Sequence, residues 1–325
     1  MLNRRHLLGL AAAGIAAPAV VRAQAPWPNR SIRLVAQFPP GGLVDTVARL
    51  LVPQMAQALG QSVVVENRAG AGGVIGTDVV AKAAPDGYTL LVSHASVHVY
   101  GAATRPSLPF DPVTDFTHMV QLVEAPNIIL VRANSPFRTL DDLVSAARTR
   151  PVRFGSSGIG SAPHLLGAML SAEARAPNLD HVPYAGSAPA MQDVMAGNIE
   201  CMVDPITTNT QQMRDGSLRA LAVSSPQRLA MFPNVPTFAE LGFPKLTSSQ
   251  WLGLSAPKGL PQPIVERLTA IVPPILARPE LAARFTDLQT MPRNPPPTGE
   301  AFVAIMRQEI ADWTAVARQF SIVVS

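Results

Sequence analysis

Glycine, proline and serine gather at three places along the chain, each between a strand-like run and an apolar run of helical spacing. In the first, "FPPGGLVDTVARLL" (38–51), Pro39, Pro40, Gly41 and Gly42 follow directly on "SIRLVAQ". The first-turn N–H groups of the helix beyond them have no partner inside that helix. With the aligned peptide dipoles they amount to about half a unit of positive charge, suited to an anion such as a carboxylate. The prolines fix the loop, and the glycines let a ligand reach the backbone with no Cβ in the way. Asp45 is expected to cap or brace the loop, since an acid pointing inward would repel an anion. The same spacing also suits a tight strand-to-helix turn that touches no ligand.

The second place, "FGSSGIGSAPHLLGAML" (154–170), offers the hydroxyls of Ser156, Ser157 and Ser161, with Gly158 and Gly160 freeing the backbone and Pro163 suited to N1 of the following helix. His164 is expected to pack within that helix. The third, "YAGSAPAMQDV" (184–194), repeats the device with Gly186, Ser187 and Pro189. Tyr184 stands where it can close over a ligand or pack as a core aromatic with its hydroxyl satisfied.

Catalytic and nucleotide signatures are incomplete. In "RAGAGGVIG" Ile75 occupies the third-glycine position of GxGxxG, and the sequence has no GxxxxGK[ST]. In "GSSGI" Ile159 takes the last place of GxSxG, which leaves a serine hydrolase using Ser157 with His164 or His94 as the rival class. His94 and His98 have i, i+4 spacing but follow a strand and have no third ligand nearby, so no metal is expected, and no cofactor. Cys201, within an apolar strand, reads as a small buried hydrophobe.

The elements that must carry these loops alternate. Ile32 to Gln37 reads as a strand, the run through Val44, Val47, Leu50, Leu51 and Met55 as a helix ending at Gly60, "QSVVVEN" as a strand, Val74 to Ala84 as a helix and "DGYTLLVS" as a strand. This β-α-β-α-β order demands a parallel sheet covered on both faces. After a connector, "LPFDPVTDFTHMVQLVEAPNIILVRANSPF" (108–137), the rhythm returns. "TLDDLVSAARTR" is a helix capped by Thr139, and "VRFGSS", "LDHVPY", "IECMV" and "LRALAVSS" are strands separated by helices at Pro163 to Glu173, Pro189 to Ala196 and Pro205 to Arg214. The tail beyond "WLGLSAPKGLPQPIVERLTAIV" is mainly helical, and Glu300 to Phe320 carries core spacing at Phe302, Ile305, Met306, Ile310, Trp313 and Val316. Two α/β lobes imply a cleft, because ligands of open parallel sheets sit outside the carboxyl ends of the strands, where the loops gather.

The start of the chain bears on where it works. Arg4 and Arg5, an apolar stretch and a small-residue end at Val21-Arg22-Ala23 are the anatomy of an export signal over residues 1–23, of twin-arginine or ordinary secretory type. The apolar segment from Leu7 to Val21 is 15 residues, against the ~20 of a spanning helix. Removing residues 1–23 takes away three arginines and no acid, so the formal charge falls from +4 to +1 and no basic, aromatic-laced patch remains to suggest nucleic acid. One cysteine rules out an internal disulfide framework, and 47% hydrophobic against 15% charged residues suffices for a large packed core.

The succession PPGG-x-x-D, ENR-x-GAGG, "LPFDPVTDF", "FGSSGIGSAPHL", "HVPYAGSAPAM", "LRALAVSS" and "PNVPTFAELGFP" covers the mature chain and resembles the extracytoplasmic solute receptors of the tripartite tricarboxylate transporter system, the Bug family. The resemblance implies a two-lobed type II periplasmic binding fold, each lobe a mostly parallel sheet flanked by helices, that closes on a small carboxylate and presents it to membrane permease subunits. It implies a ligand held by loop N–H groups, hydroxyls and bridging water, with Pro40, Gly41, Gly42, Ser157, Ser161, Tyr184, Gly186, Ser187, Ala188 and Asp204 as candidate contacts. Asp204 would accept from a ligand hydroxyl or amine, or serve as a helix cap before Pro205. The chain departs from the family at His94, where a small hydroxylated residue is usual, and at Ala185, where relatives often carry Lys. His94 would select the distal end of the ligand and add positive charge at mildly acidic pH. These departures favour a mono- or dicarboxylate, aromatic acids included, over a plain tricarboxylate. Expected boundaries are 24–124 plus 248–325 for lobe 1 and 125–247 for lobe 2, in a periplasmic monomer; a receptor feeding a sensor kinase is the alternative to uptake.

Overall fold

The computed structural model describes residues 26–184 and 186–323; the stretch expected to be an export signal, residues 1–23, and Ala185 lie outside them. The first unit runs β1 (Ile32–Ala36), α1 (Leu43–Leu59), β2 (Val63–Asn67), α2 (Val74–Ala81) and β3 (Thr89–His94). β1 pairs in parallel with both β2 and β3. β3 is buried at every position, as a strand covered on both faces must be, which is why its sequence does not alternate. α1 stops at Gly60, whose φ of 68° is the left-handed conformation of a glycine C-cap. A π-helical turn, Ser96–Gly101, then leads into the single turn α3 (Ala102–Thr104).

The stretch read as a connector contains the longest strand of the protein, β4 (Phe116–Arg132). Its polar residues Gln121 and Glu124, its Pro126 and its burial on both faces remove the period-two signal by which a strand is recognised. The second unit continues with α4 (Leu140–Thr149), β5 (Val152–Ser156), α5 (Ala162–Glu173), β6 (Leu179–Pro183), α6 (Ser187–Ala196), β7 (Cys201–Pro205), α7 (Thr210–Arg214) and β8 (Leu218–Val223). The predicted Thr139 cap is present: its hydroxyl accepts from Asp142 N–H while the Asp142 carboxylate accepts from Thr139 N–H. The helix expected over 205–214 is broken into a 3-10 turn, Ile206–Thr208, and α7, because the Asn209 side chain donates to Asp204 and to the Pro205 carbonyl instead of leaving the backbone to continue. "WLGLSAPK", read only as the approach to a helical tail, forms most of β9 (Ser249–Pro257), followed by α8 (Gln262–Leu276), α9 (Pro279–Asp287) and α10 (Gly299–Gln319).

The strand order is β2-β1-β3-β9-β4-β7-β5-β6, with β8 also on β4. The outer strands pair in parallel, whereas β9, β4 and β8 enter the middle antiparallel. β4 joins the two halves: Phe116 to Pro126 pair with β9, and from Asn127 onward the strand pairs with β7 and β8. One core lies under α1, α8 and α9, around Leu34, Leu51, Met55, Leu254 and Phe285. Another joins Phe154, Leu165 and Leu166 to Trp251, Phe302 and Trp313. Of the apolar stripe on α10, Phe302, Met306 and Trp313 are buried, and the helix packs on β4, the π-turn and α5, so it bridges both halves. Each such side chain contributes about 1.5–3 kcal/mol by leaving water.

Candidate functional site

The loop after β1 ends in Gly42, the N-cap of α1, in extended backbone with no side-chain cap. Among the described residues, the Gly42, Leu43 and Val44 N–H groups donate to no protein acceptor. Asp45 does brace the loop. Buried, it accepts from Gly41 N–H, from Arg49 Nε and from Asn67 Nδ2, each at 2.9 Å, and Asn67 donates also to the Phe38 carbonyl. Burial pulls its carboxyl upward, but these donors and the Arg49 charge prevail and hold it below the usual carboxylate range. Gly41, at φ +83°, thus gives its N–H to Asp45 and does not line the cleft, while Pro40 and Gly42 do. The family-derived contact at Gly41 is therefore a bracing position.

From the second half come the N-termini of α5 and α6. Ser157 lines the cleft with its hydroxyl unengaged by protein among the described residues. Ser161, also on the wall, caps α5: it accepts from His164 N–H at 3.4 Å and donates to the Gly158 carbonyl at 2.7 Å. Gly186, at φ +125°, opens α6 without a side-chain cap, and Gly186, Ser187 and Ala188 stand on the wall. The Ser187 hydroxyl donates to Asp204 Oδ1 at 2.6 Å. Asp204 is fully buried behind it, taking further donors from Thr208 Oγ1 and from Asn209 Nδ2 at 2.7 Å. Burial pushes its carboxyl up to about 6 against the three donors. Asp204 is thus neither a direct contact nor a helix cap; it anchors Ser187 and Thr208, and Thr207 and Thr208 are the residues of that turn on the wall.

Two further expectations change. The Tyr184 hydroxyl donates to Asp193 at 2.6 Å, its ring packs near Gly155, and it does not line the cleft: it takes the core-aromatic position. Burial and the Asp193 charge push its phenol up to about 12. His94 does line the cleft, edge-on to Phe38 at 5.6 Å, with Nδ1 accepting the Ser96 N–H and 2.5 Å from Ser96 Oγ. Burial, then the proximity of His98, push it down to about 3, so it stays neutral at mildly acidic pH and supplies no charge. His164 is half-buried and stacked on His181 at 3.7 Å, beside a separate surface depression that also contains Arg175 and Phe320. Its Nδ1 accepts from Gly160 N–H, and Ser157 hydrogen-bonds to no histidine among the described residues, so the nucleophile and base pairing that a serine hydrolase needs is not formed.

The cleft encloses about 880 Å³ between the two halves. Its wall includes residues that the reading of the sequence did not place there: the loop Ala69, Gly70, Gly72 and Gly73, the side chains of Ser96, Thr104 and Arg105, Thr207, and Gln250. Thr207 Oγ1 is buried without a partner among the described residues. The 69–73 loop was visible as a glycine motif; a Cβ on Gly73 would lie 2.8 Å from Val97, so that loop packs directly on the π-turn. Arg105 follows an unremarkable "YGAAT" and had no local signal. No Asp or Glu lines the wall, and Arg105 is its one charged side chain among the described residues. An open-ended helix terminus, hydroxyls and a single cation can hold an anion.

Residues 47–319 match the family described as the tripartite tricarboxylate transporter family receptor. Among solved structures, the periplasmic binding protein BugD is 34% identical with a TM-score of 0.81, covering 91% of this chain and 99% of that one. MatC from Rhodopseudomonas palustris, solved with bound malate, is 34% identical with a TM-score of 0.79 over 89% of this chain and 99% of its own. A second R. palustris protein, solved with adipate, is 31% identical with a TM-score of 0.83 over 91% and 99%.

Proposed function

The chain belongs to the tripartite tricarboxylate transporter receptor family, and from that premise we propose that it captures a small organic carboxylate in the cleft and delivers it to membrane permease subunits. Related structures hold malate and adipate, both carboxylates, and BugD is a periplasmic binding protein. The observation that carries the reading is the convergence of the α1, α5 and α6 N-termini on one cleft with no acidic side chain on its wall among the described residues, the α1 and α6 ends lacking side-chain caps. Gly42, Ser157, Ser187 and Ala188 are the proposed contacts around the carboxylate, with Pro40, Gly41, Ser161 and Asp204 holding them in place. We assign lobe 1 to residues 24–124 plus 248–325 and lobe 2 to 125–247. Closure would flex β4 and β9 near Val123 to Ala125 and Ser248 to Trp251, as in hinge-bending binding proteins. The protein acts as a periplasmic, non-catalytic monomer. No helix among the described residues is long and apolar enough to cross a membrane.

Melting of the purified chain against a panel of mono-, di- and tricarboxylates tests the reading. A bound acid at a hundred times its Kd should stabilise the fold by about 2.7 kcal/mol and raise Tm accordingly. A panel in which no acid moves Tm would overturn it.

A further inference from the structure

We propose that Arg105 receives a second carboxylate of the ligand, so that the cleft selects acids with two anionic groups over the same acids with one. The inference rests on the carboxylate-receptor reading and names the class of acid. Arg105 is half-buried on the cleft wall, just beyond α3, with its guanidinium above the 71–73 loop. It makes no salt bridge among the described residues, and the one hydrogen bond of its side chain there, from Nη2 to the Ala71 carbonyl, is long at 3.5 Å. It thus retains almost its full set of donors, in a fork that matches a carboxylate two bonds at a time. The helix termini that would take the first carboxylate belong to other loops, at Gly42, Ser161 and Gly186. The rest of the wall includes neutral groups: the apolar Phe38 and Val97, the hydroxyls of Ser157 and Thr207, and His94, which burial keeps uncharged. With no acid on the wall to neutralise it, a lone guanidinium in a partly enclosed cleft attracts an anion more strongly than one on an open surface. A monoacid seated at the helix ends leaves this group to water; a diacid of suitable length engages both.

Calorimetric titration with succinate through suberate and with the benzenedicarboxylates, each beside its own monomethyl ester, tests this. The wild-type chain should bind its best diacid about tenfold to a hundredfold more tightly than the corresponding ester. Arg105→Gln should erase that preference, weakening the diacid far more than the ester, while leaving the ligand-free Tm unchanged. Arg105→Lys, which keeps the charge and loses the fork, should restore part of it. Equal binding of diacid and ester by the wild type, or an undiminished preference in Arg105→Gln, would overturn the assignment. Binding of neither diacids nor esters nor simple monoacids by the wild type would overturn the carboxylate reading itself.

Discussion

Replacing Gly42 by alanine separates ligand contact from loop architecture. Its φ of −78° is open to any residue, and an added Cβ would meet only the Pro39 carbonyl oxygen, at 3.6 Å, an ordinary contact. The fold should therefore tolerate Gly42→Ala at a loss of about 1 kcal/mol or less, the difference between glycine and alanine as an N-cap. The methyl would nevertheless stand at the mouth of α1, where the free N–H groups are. A hydrogen bond from such a group to a carboxylate is worth about 1.5–3 kcal/mol, so losing one should weaken binding about tenfold to a hundredfold. Gly41→Ala provides the contrast. At φ +83° a side chain costs about 1–2 kcal/mol, although nothing lies within 4 Å of the new Cβ, and the N–H there already belongs to Asp45. Gly41→Ala should lower Tm more than Gly42→Ala and affect affinity less. Calorimetry with an acid that binds the wild type, beside urea unfolding of both variants, reads the two effects. If Gly42→Ala binds as tightly as the wild type, or if Gly41→Ala is the variant that loses the ligand, the α1 terminus is not the anion cradle.

Asp204→Ala should cost about 2–4 kcal/mol in urea unfolding, because it leaves Ser187, Thr208 and Asn209 donors without their acceptor, and it should also weaken ligand binding by releasing Ser187; a variant as stable as wild type would refute the anchoring role. Glu309 accepts from the Trp251 indole N–H at 2.6 Å, and burial is the main cause that pushes its carboxyl up to about 7. In the unfolded chain a glutamate titrates near about 4.3, so between these values the folded state binds more protons and stability falls as pH rises. The loss should be about 2 kcal/mol, discounted because the side chain keeps some solvent contact, and Glu309→Gln should flatten it in unfolding curves followed by tryptophan fluorescence. Gly76→Ala in α2 would set a Cβ 2.4 Å from the Arg68 carbonyl and 2.9 Å from Gln37 Cα, both backbone atoms that cannot turn aside; it should cost about 2 kcal/mol or more in Tm-derived stability.

The parallel strands and the helices between them were legible because their signals are local: apolar runs, a Thr139 capping box, glycine stops. β4 and β9 were not, because both are buried on two faces by elements distant in sequence, and polar residues such as Gln121 and Gln250 find buried places among those neighbours. The cleft loops divided in the same way. Gly42, Ser157 and Ser187 were marked by residue type, whereas whether Gly41, Tyr184 and Asp204 face a ligand depended on partners at Asp45, Asp193 and Ser187. His94 was read as a chargeable group; enclosure against Phe38 and His98 makes it a neutral one.

By itself, the sequence determined that this is an α/β chain with glycine-bearing turns at the starts of helices, since backbone freedom and helix-end N–H groups are set within a few residues. Only the tertiary structure decided which of those turns share a cleft, which donors are already taken, and that an arginine with no salt bridge among the described residues stands among them. Hydrogen-bond satisfaction and desolvation depend on whatever is packed alongside, and in this fold the neighbours come from the far side of β4.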